Sequence, residues 1–556
     1  MPMRWMFLKC LIPWLLAANL FAENATTVDD AIPAVVRALP QPKVQDFPNG
    51  LQMAITAKNE AAQNAVIQGI NHLHGGWEME ATRHFAHALK EDPNCLMAYW
   101  GIIMSTLTPS PETGPTRNIA TERMLDLVDQ GIGSELERGL CYALIKYIQE
   151  GPQAAANAFR KVARDSPNDL QAPIFICLFS RSGYDIIGSP TPDQQAAEEI
   201  LTKLLEKNPD HPVLLNALLT IRAEAPDLSA SLPLARKLVQ LVPNYPPYFH
   251  LLGHYEWRCG NHGKAASAFG KAASAFEKWM QQNNATNADC PEWVRSECYR
   301  ITALNSMGDA ANALAAANKL AKLPLVEGRT SSAGMRLMLW EATTLPARIH
   351  LSQSEPDSIK KAIASLAPPA TLKPTHAHSL AYWWIDGLRL VLEGRRLIDE
   401  GKLEETQHVL AAIAQHGEAM SRTQNAAAES GERSSWTRAF RALEVYASEL
   451  RGLAAMAGPQ SGIGSAYNWF SSAADRQQPA SVLMPPMVLY PMAGRIGEYF
   501  TKIGKADDAT DAYLRALEME PNHERILQSL KKIYLSAGKE EDAKRIDEQI
   551  KHLADD

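Results

Sequence analysis

The sequence predicts an all-α fold, an α-solenoid of helical hairpins arranged in one or two blocks. Three observations predict it. Apolar residues recur at helical spacing along most of the chain, one series of small, aromatic and proline residues occurs near both ends, and strand signals are nearly absent. At 556 residues the chain exceeds the roughly 250–300 residues of one core, so it divides into domains or extends as repeats.

The repeated series is clearest in the stretch GINHLHGGWEMEATRHFAHALKEDP. A glycine is followed after twelve positions by alanine, then by an aromatic residue after four, alanine after three and proline after five. The two matching series are Gly69, Ala81, Phe85, Ala88 and Pro93, and Gly497, Ala509, Tyr513, Ala516 and Pro521. Small residues permit close helix crossing, residues spaced by three and four share one helical face, and proline ends the second helix.

This unit resembles the tetratricopeptide repeat, a helix-turn-helix of about 34 residues that stacks into a curved solenoid. The stretches DPNCLMAYWGIIMS and HLLGHYE, together with the proline-rich approach to the last repeats, also resemble a group of exported bacterial tetratricopeptide proteins of poorly defined function. The helix HPVLLNALLTIR, residues 211–222, departs from that group because apolar residues stand where histidine or tyrosine is expected.

The patterns divide the chain into five segments. Residues 1–22 have the basic start, short apolar core and small-residue end of a cleaved signal peptide, and residues 23–58 form an N-terminal arm. Residues 59–326 form a first tetratricopeptide-like solenoid and residues 327–478 form degenerate helical hairpins. Residues 479–556 form a proline-rich connector and C-terminal repeats. We therefore expect a periplasmic or secreted protein, with a retained signal anchor as the alternative.

Composition excludes several classes of function. The net charge of −7 offers no basic face, so we expect no nucleic-acid partner. No apolar stretch beyond residue 22 has the length of a membrane helix, so we expect no stable membrane insertion. The chain lacks nucleophile-elbow, P-loop, Rossmann and C-x-x-C-H motifs, which predicts a protein without catalytic activity or a cofactor.

The cysteines beyond residue 22 are too sparse for a disulfide scaffold, so we expect buried thiols on helices. Eight helical residues separate Cys290 from Cys298 by roughly 12 Å, which is beyond the reach of a disulfide. A bridge from Cys259 to one of these two residues is left open by the sequence.

Four histidines lie within sixteen residues of the first repeat, at His72, His74, His84 and His87. On a tetratricopeptide template, His72 faces the helix crossing and His74 ends the first helix on the concave side. The other two lie on the second helix near the convex surface. Because a metal ion requires donors around one point, we expect no metal site among these histidines.

A stronger candidate site is the stretch FHLLGHYEWRCGNH. His250 and His254 share a helix face that Trp257 and Arg258 extend by one turn. The resemblance implies that this face lines the groove of the solenoid, where it suits contact with an anion or a peptide. Ordinary packing histidines are one alternative, and a metal held by the histidine pair is another, although the zinc-protease glutamate is missing.

Two further faces are candidates for binding. The first repeat has an apolar concave strip too large to stay exposed, formed by Val66, Ile70, Leu73, Trp100, Met104 and Leu107. We expect residues 23–58 to fold over this strip, with a partner's segment as the alternative. Near the C-terminus a mainly cationic face, suited to a carboxylate or to solvation, carries Glu498, Lys502, Arg525, Gln528 and Lys532.

The sequence therefore predicts an exported, non-enzymatic tetratricopeptide scaffold that binds a protein or peptide segment in its concave groove. The alternative is a periplasmic accessory protein that binds a metal or small ligand through His250 and His254. An enzyme with dispersed catalytic residues is a third interpretation, because a fold alone does not fix function. The sequence predicts no particular oligomeric state.

Overall fold

The computed structural model describes residues 27–555 except residues 109, 186–187, 354, 356, 367–379, 430–431 and 460–461. This part of the chain is all-α, which confirms the predicted fold class. Its only β-type pairings are two isolated bridges, between Tyr184 and Pro190 and between Ser481 and Met484. The predicted signal peptide, residues 1–22, lies outside the described residues. No helix in the described ranges is both long enough and apolar enough to cross a membrane.

The N-terminal part is a series of helical hairpins that follows a 3-10 turn at Val28–Ala31. Its helices are α1 (Ala34–Arg37), α2 (Glu60–His74), α3 (Glu78–Glu91), α4 (Leu96–Ser105), α5 (Gly114–Asp129), α6 (Glu135–Glu150), α7 (Pro152–Asp165), α8 (Gln171–Ser180), α9 (Pro192–Lys207), α10 (Pro212–Arg222), α11 (Leu232–Leu241), α12 (Pro246–Arg258), α13 (His262–Asn283), α14 (Pro291–Ser306) and α15 (Ala310–Ala321). Helices α2 and α3, α6 and α7, and α12 and α13 pack closely as successive pairs.

The remaining helices include three that are longer than a repeat helix. They are α16 (Ala333–Leu337), which continues into a π-helical turn at Met338–Ala342, α17 (Leu345–Ser352), α18 (Ser358–Ser365), α19 (Leu380–Asp399), α20 (Leu403–Glu429), α21 (Arg433–Ala457), α22 (Gly464–Arg476), α23 (Ala493–Lys502), α24 (Ala506–Met519), α25 (Glu524–Ser536) and α26 (Glu540–Asp555). Helices α19, α20 and α21 each pack on the other two, so this region is a small bundle within the solenoid.

The helix crossings have the close packing that the repeated series predicts. The buried Phe85 ring on α3 lies between Gly69 on α2 and Gly101 on α4. A Cβ atom on Gly69 would lie 2.6 Å from this ring, and one on Gly101 would lie closer still. Near the C-terminus, Gly497 has the same relation to Tyr513, at 2.6 Å. Because no side chain fits in these gaps, glycine is required where the helices cross.

The described part of the N-terminal arm, residues 27–58, folds back on the first repeats as predicted. The Asn71 side chain accepts a hydrogen bond from the Leu51 amide at 2.8 Å and donates one to the Leu51 carbonyl at 3.0 Å. Further along the arm, the Thr56 amide donates to the Glu137 carboxylate at 2.8 Å. Arm and strip residues share one buried cluster that includes Leu51, Ile55, Val66, Ile70, Trp100 and Met104. The arm therefore covers apolar surface that would otherwise face water.

The proline-rich segment between α22 and α23 is a non-helical connector, and residues 481–484 of it form a tight turn where the sequence predicts extended backbone. Residues 477–492 contain no helix, and residues 485–492 are buried. The four prolines of this stretch explain the missing helix, because proline lacks an amide hydrogen and clashes with the preceding turn. An extended backbone in the interior needs hydrogen-bond partners from outside its own segment.

The C-terminal repeats reach back to the turns of the N-terminal part. The His262 ring, at the start of α13, places Nε2 2.9 Å from the carbonyl oxygen of Pro521. The neighbouring Asn522 side chain donates to the carbonyl of Gly260 at 3.1 Å. The Ser306 hydroxyl at the end of α14 donates to the carboxylate of Glu520. The loop between α24 and α25 thus joins the C-terminal repeats to the turns beside α13 and α14 in the middle of the chain.

All six cysteines beyond residue 22 are free thiols. Five are buried on or beside helices, and Cys259 is partly exposed. The bridge from Cys259 that the sequence left open is therefore not formed. Burial raises the pKa of the Cys95 and Cys177 thiols to about 12, so both stay protonated at neutral pH.

Candidate functional site

The face of α12 that carries His250 is occupied by the chain's own connector. His250 is 8% exposed. Its Nδ1 lies 3.0 Å from the hydroxyl of Ser296, and its Nε2 lies 2.8 Å from the carbonyl oxygen of Val482. On the adjacent α14, the Tyr299 hydroxyl donates to the carbonyl of Met484 at 2.6 Å. Polar side chains of this face therefore bind backbone carbonyls of the tight turn that Ser481–Met484 form in the connector.

Side chains of α17 and α21, and the connector's own Gln477 where α22 ends, hold the backbone of the same connector. They donate to consecutive stretches of its backbone: Arg348 to the carbonyl of Pro486 at 3.1 Å, Tyr446 to that of Met487 at 3.2 Å, and Gln477 to that of Tyr490 at 3.1 Å. Because these donors come from α17, α21 and the end of α22, the connector links helices that are far apart in sequence.

The other residues predicted on this face also have partners within the chain. His254 is fully buried, with Nε2 2.9 Å from the carbonyl oxygen of Ala223. Arg258 donates to the carbonyl of Ala225 at 2.8 Å, and Trp257 is 4% exposed. The helical spacing placed these residues on one face but gave no indication of the segments that cover it. Binding of an external segment here stays a prediction.

The metal alternative at His250 and His254 lacks free donor atoms in this conformation. Both ring nitrogens of His250 already have protein partners, and His254 uses Nε2. Of the four ring nitrogens of His250 and His254, Nδ1 of His254 is the one without a hydrogen-bond partner in the described part of the chain. One nitrogen cannot form a metal site, because a bound ion needs three or four donors around it.

Trp100 belongs to the interior of the first repeats. Its side chain is fully buried on α4, and its ring centroid lies 5.9 Å from that of Phe175 on α8. The arm covers the strip to which Trp100 belongs. Trp100 therefore stabilises the packing of α4 and α8 in this conformation, and a role in partner binding stays a prediction.

The predicted cationic face near the C-terminus already contains a carboxylate. Glu498 accepts hydrogen bonds from Arg495 at 2.7 Å and from Arg525 at 3.0 Å. Both guanidinium groups also lie over the Tyr490 ring, with their central carbons 4.7 and 4.1 Å from its centroid. Lys502 donates to a backbone carbonyl at the end of α21 at 2.7 Å. These charges therefore pair within the chain.

The expectation that the four histidines of the first repeat stay apart is wrong for two of them. The rings of His72 and His84 stack with centroids 5.1 Å apart and an angle of 15° between their planes, and both are buried. The reason is that the arm and α13 cover the side of α3 that would be a convex surface in an isolated repeat. The other two lie elsewhere: His74 packs on the Phe175 ring, and His87 contacts the Gln41 amide.

Glu80 on α3 completes a cluster with the two stacked histidines. One possible ligand atom from each of His72, Glu80 and His84 lies within 4.8 Å of the others. The carboxylate oxygen Oε1 of Glu80 accepts from Arg83 and from the indole of Trp279. Its other oxygen and the Nε2 atoms of both histidines have no hydrogen-bond partner among the described residues.

Burial sets the protonation of this cluster. It lowers the pKa of His72 well below the usual value and that of His84 to about 3, and Arg83 adds repulsion of a second positive charge. Burial also raises the pKa of Glu80, while the positive charge of Arg83 opposes that rise. Both imidazoles are therefore neutral at physiological pH and can accept through a ring nitrogen.

An open cleft of about 1040 Å³ lies above this cluster. Its walls come from the arm, the start of α3 and the outer face of α13, with contributions from α12 and α14. Among the lining residues are Lys43, His72, Glu80, Phe249, Lys271, Lys278 and Arg300. A cleft of this size is large enough for several residues of an extended segment.

The cleft carries an excess of positive charge. Its two lining acids are paired, Glu80 with Arg83 and Glu297 with Arg300, the latter at 2.8 Å. Lys43, Lys271 and Lys278 are exposed and form no ion pair within the described residues. The three lysines therefore leave a positive potential for an anionic ligand.

The sequence did not predict this cleft, although one signal for it is present. Polar residues recur along α13 at intervals of four, three and four, at Ser267, Lys271, Ser274 and Lys278. That spacing defines one polar stripe on a helix of 22 residues. The arm and α3 form the opposite wall. They lie about 200 positions before α13 in the sequence, as the hydrogen bond from Arg83 to Asn283 illustrates.

The stacked hairpins and their glycine crossings define the chain as an all-α solenoid of the tetratricopeptide type. Solved structures to which it is similar include the tetratricopeptide domain of P58(IPK), at 14% identity over 88% of this chain and 98% of that one, with a TM-score of 0.22. The human IFIT1 dimer with PPP-AAAA is 12% identical over 95% and 100% of the two chains, with a TM-score of 0.30. The APC/C hetero-tetramer Cut9-Hcn1 is 13% identical over 79% and 96%, with a TM-score of 0.24. No family model and no curated protein sequence matches the chain.

Proposed function

We propose that this chain is an exported, non-enzymatic scaffold that binds an acidic, extended segment of a partner protein in the cleft beside α13. The observation that carries the proposal is the cleft of about 1040 Å³ with three lysines that lack an ion pair. Carboxylates of a bound segment would pair with Lys43, Lys271 and Lys278. Such pairs mainly give specificity and a faster association, because exposed ion pairs contribute about 0–1 kcal/mol each.

A protein segment fits the cleft better than a nucleic acid does. Of the aromatic rings that line it, Trp77 and Trp279 are 5% and 9% exposed, so only the partly buried Phe249 ring is left for a base to stack on. The whole chain carries a net charge of −7, which repels a long polyanion outside the cleft. The connector provides a precedent for a non-helical polypeptide whose backbone is bound by the side chains of this solenoid.

Peptide binding tests the proposal directly. We expect a fluorescein-labelled, glutamate-rich peptide to bind the full chain by fluorescence anisotropy, with an affinity that falls as salt is added. The double variant Lys271→Glu/Lys278→Glu should weaken binding at least about tenfold, or roughly 1.4 kcal/mol, because two attractions become repulsions.

A matched charge reversal outside the cleft is the control. Lys161 and Lys203 are each 72% exposed on other helices, and Lys161→Glu/Lys203→Glu makes the same change in net charge. This control should keep the affinity of the native chain. Equal affinity for both double variants, or tighter binding of a single-stranded RNA than of the acidic peptide, would overturn the proposal.

Export is supported by the basic start, apolar core and small-residue end of residues 1–22. Expression of the full-length chain in a bacterial host, followed by fractionation and intact-mass measurement, tests it. We expect a periplasmic or secreted product that begins near Glu23. A product that retains Met1 and stays with the cytoplasm would contradict export.

A further inference from the structure

We propose that His72, Glu80 and His84 form a binding site for a divalent transition-metal ion at the floor of the cleft. Two observations carry the site: one possible ligand atom from each of the three buried side chains lies within 4.8 Å of the others, and each side chain has a polar atom without a hydrogen-bond partner in the described part of the chain. This inference goes beyond the scaffold function and does not depend on it.

In His72 and in Glu80, the polar atom that is not proposed as a metal ligand already has hydrogen-bond partners in the protein. His72 places Nδ1 3.2 Å from the Tyr245 hydroxyl, which leaves Nε2 free. Glu80 receives Arg83 and Trp279 on Oε1, which leaves Oε2 free. Unpaired buried polar atoms are rare, and metal ligands are typically oriented in this way by outer-shell hydrogen bonds.

The distances suit an ion after a small side-chain adjustment. The three ligand atoms lie within 4.8 Å of one another. Ligands at about 2.1 Å from a tetrahedral zinc ion lie roughly 3.4 Å apart. Rotation of the stacked rings of His72 and His84 about their side-chain bonds supplies a movement of that size without a shift of α2 or α3.

The charges also suit a cation despite the nearby Arg83. The Arg83 guanidinium is fixed on the Oε1 side of Glu80 by bonds to the carbonyl of Pro40 at 2.8 Å and to Asn283 at 2.7 Å. The free carboxylate oxygen therefore remains accessible for an ion.

The surroundings give the site an apolar wall and an entrance. Aromatic rings pack around His72: Phe47 at 5.2 Å, Tyr245 at 5.6 Å and Trp77 at 6.0 Å between centroids. His72 and Glu80 line the cleft, which provides an entry path and room for one more ligand. Two imidazoles, one carboxylate and an open position suit Zn²⁺ or Fe²⁺.

Metal titration of the full-length protein tests this site. After removal of bound metal with a chelator, we expect the native chain to bind about one equivalent of Co²⁺, with visible d–d absorption bands, and Zn²⁺ should displace it. His84→Gln and Glu80→Gln should each weaken Co²⁺ binding at least about tenfold. His87→Gln on the same helix is the control and should bind as the native chain does.

Circular dichroism and thermal unfolding of each variant establish that it folds. Zn²⁺ should raise the melting temperature of the native chain and of His87→Gln, and leave that of His84→Gln unchanged. Absence of Co²⁺ bands in the native chain would overturn the metal site without any variant. Co²⁺ binding that persists in both His84→Gln and Glu80→Gln would also overturn it. Acidic-peptide binding by the metal-free chain would leave the scaffold function standing in that case.

Discussion

At the residue scale, the packing of Phe85 explains why glycine occurs where the first helices cross. Gly69 and Gly101 approach this ring from α2 and α4, and neither position has space for a methyl group. A core at this density responds to a single added carbon with displaced side chains or a shifted helix. The same relation between Gly497 and Tyr513 indicates that the crossing is a property of the repeat.

Gly101→Ala should therefore destabilise the chain. We expect a loss of about 1–3 kcal/mol in the free energy of unfolding, measured by urea denaturation, because the added Cβ meets the Phe85 ring. Gly114→Ala is the matched control, since a Cβ there has no neighbour within 4 Å. Equal stability of the two variants would contradict the role of the crossing.

The glycine crossings could be predicted from the sequence because their partners lie within one repeat. Gly69 and Phe85 are sixteen positions apart, and helical spacing fixes their faces. The cluster of His72, Glu80 and His84 could not be predicted in the same way. Its surroundings include Trp279 and Tyr245, which come from helices and loops of later repeats.

At the element scale, the connector is the segment that fills the concave face. Its proline content predicted an extended conformation, but nothing local in the sequence predicted the donors that hold it. His250 and Tyr299 bind its carbonyl groups from the N-terminal repeats, and Arg348 and Tyr446 bind it from the middle of the chain. A buried carbonyl without such a donor costs about 1–3 kcal/mol.

Tyr299→Phe tests the anchoring of the connector. Loss of the hydroxyl removes its hydrogen bond to the carbonyl of Met484, which keeps only the Ser481 amide as a donor, so we expect the free energy of unfolding to fall by about 0.5–1.5 kcal/mol in urea denaturation. The same substitution at Tyr467, which is 40% exposed, is the control and should change stability by less than about 0.5 kcal/mol. A loss of similar size at both positions would argue against the anchor.

At the scale of the whole molecule, the loop between α24 and α25 joins the last repeats to the turns after α12 and α14. The contacts of His262 with Pro521 and of Asn522 with Gly260 are made between residues about 260 positions apart. An isolated repeat array has two free ends, and its units contact only their neighbours. This closure therefore makes the last repeats and the repeats around α13 and α14 depend on one another.

The stability of this closure should depend on pH through Glu520. Burial raises the pKa of its carboxyl from 4.5 to about 7, although the Ser306 hydroxyl opposes the rise. The folded chain thus holds a proton that the unfolded chain releases at lower pH. The stabilising effect is fully present below about pH 4.5 and is lost as the pH rises through about 7.

We therefore expect the melting temperature of the native chain to fall between about pH 5 and about pH 8, and Glu520→Gln to reduce this fall. Differential scanning calorimetry across this range measures the effect. Glu518→Gln, which changes an exposed neighbour, should keep the native pH profile. A Glu520→Gln profile parallel to that of the native chain would exclude this carboxyl as the source.

Hydrogen–deuterium exchange of the full chain, with and without the acidic peptide, tests most directly where a partner binds. We predict slow exchange in residues 481–492 under both conditions, because the amides of Ser481, Met484 and Met492 donate hydrogen bonds within the chain and residues 485–492 are buried. The peptide should slow exchange in the cleft walls, in arm residues 41–46 and around Glu297 and Arg300 of α14. Rapid exchange of the connector in the free chain, or protection by the peptide that appears at the connector and not in the cleft walls, would contradict the account.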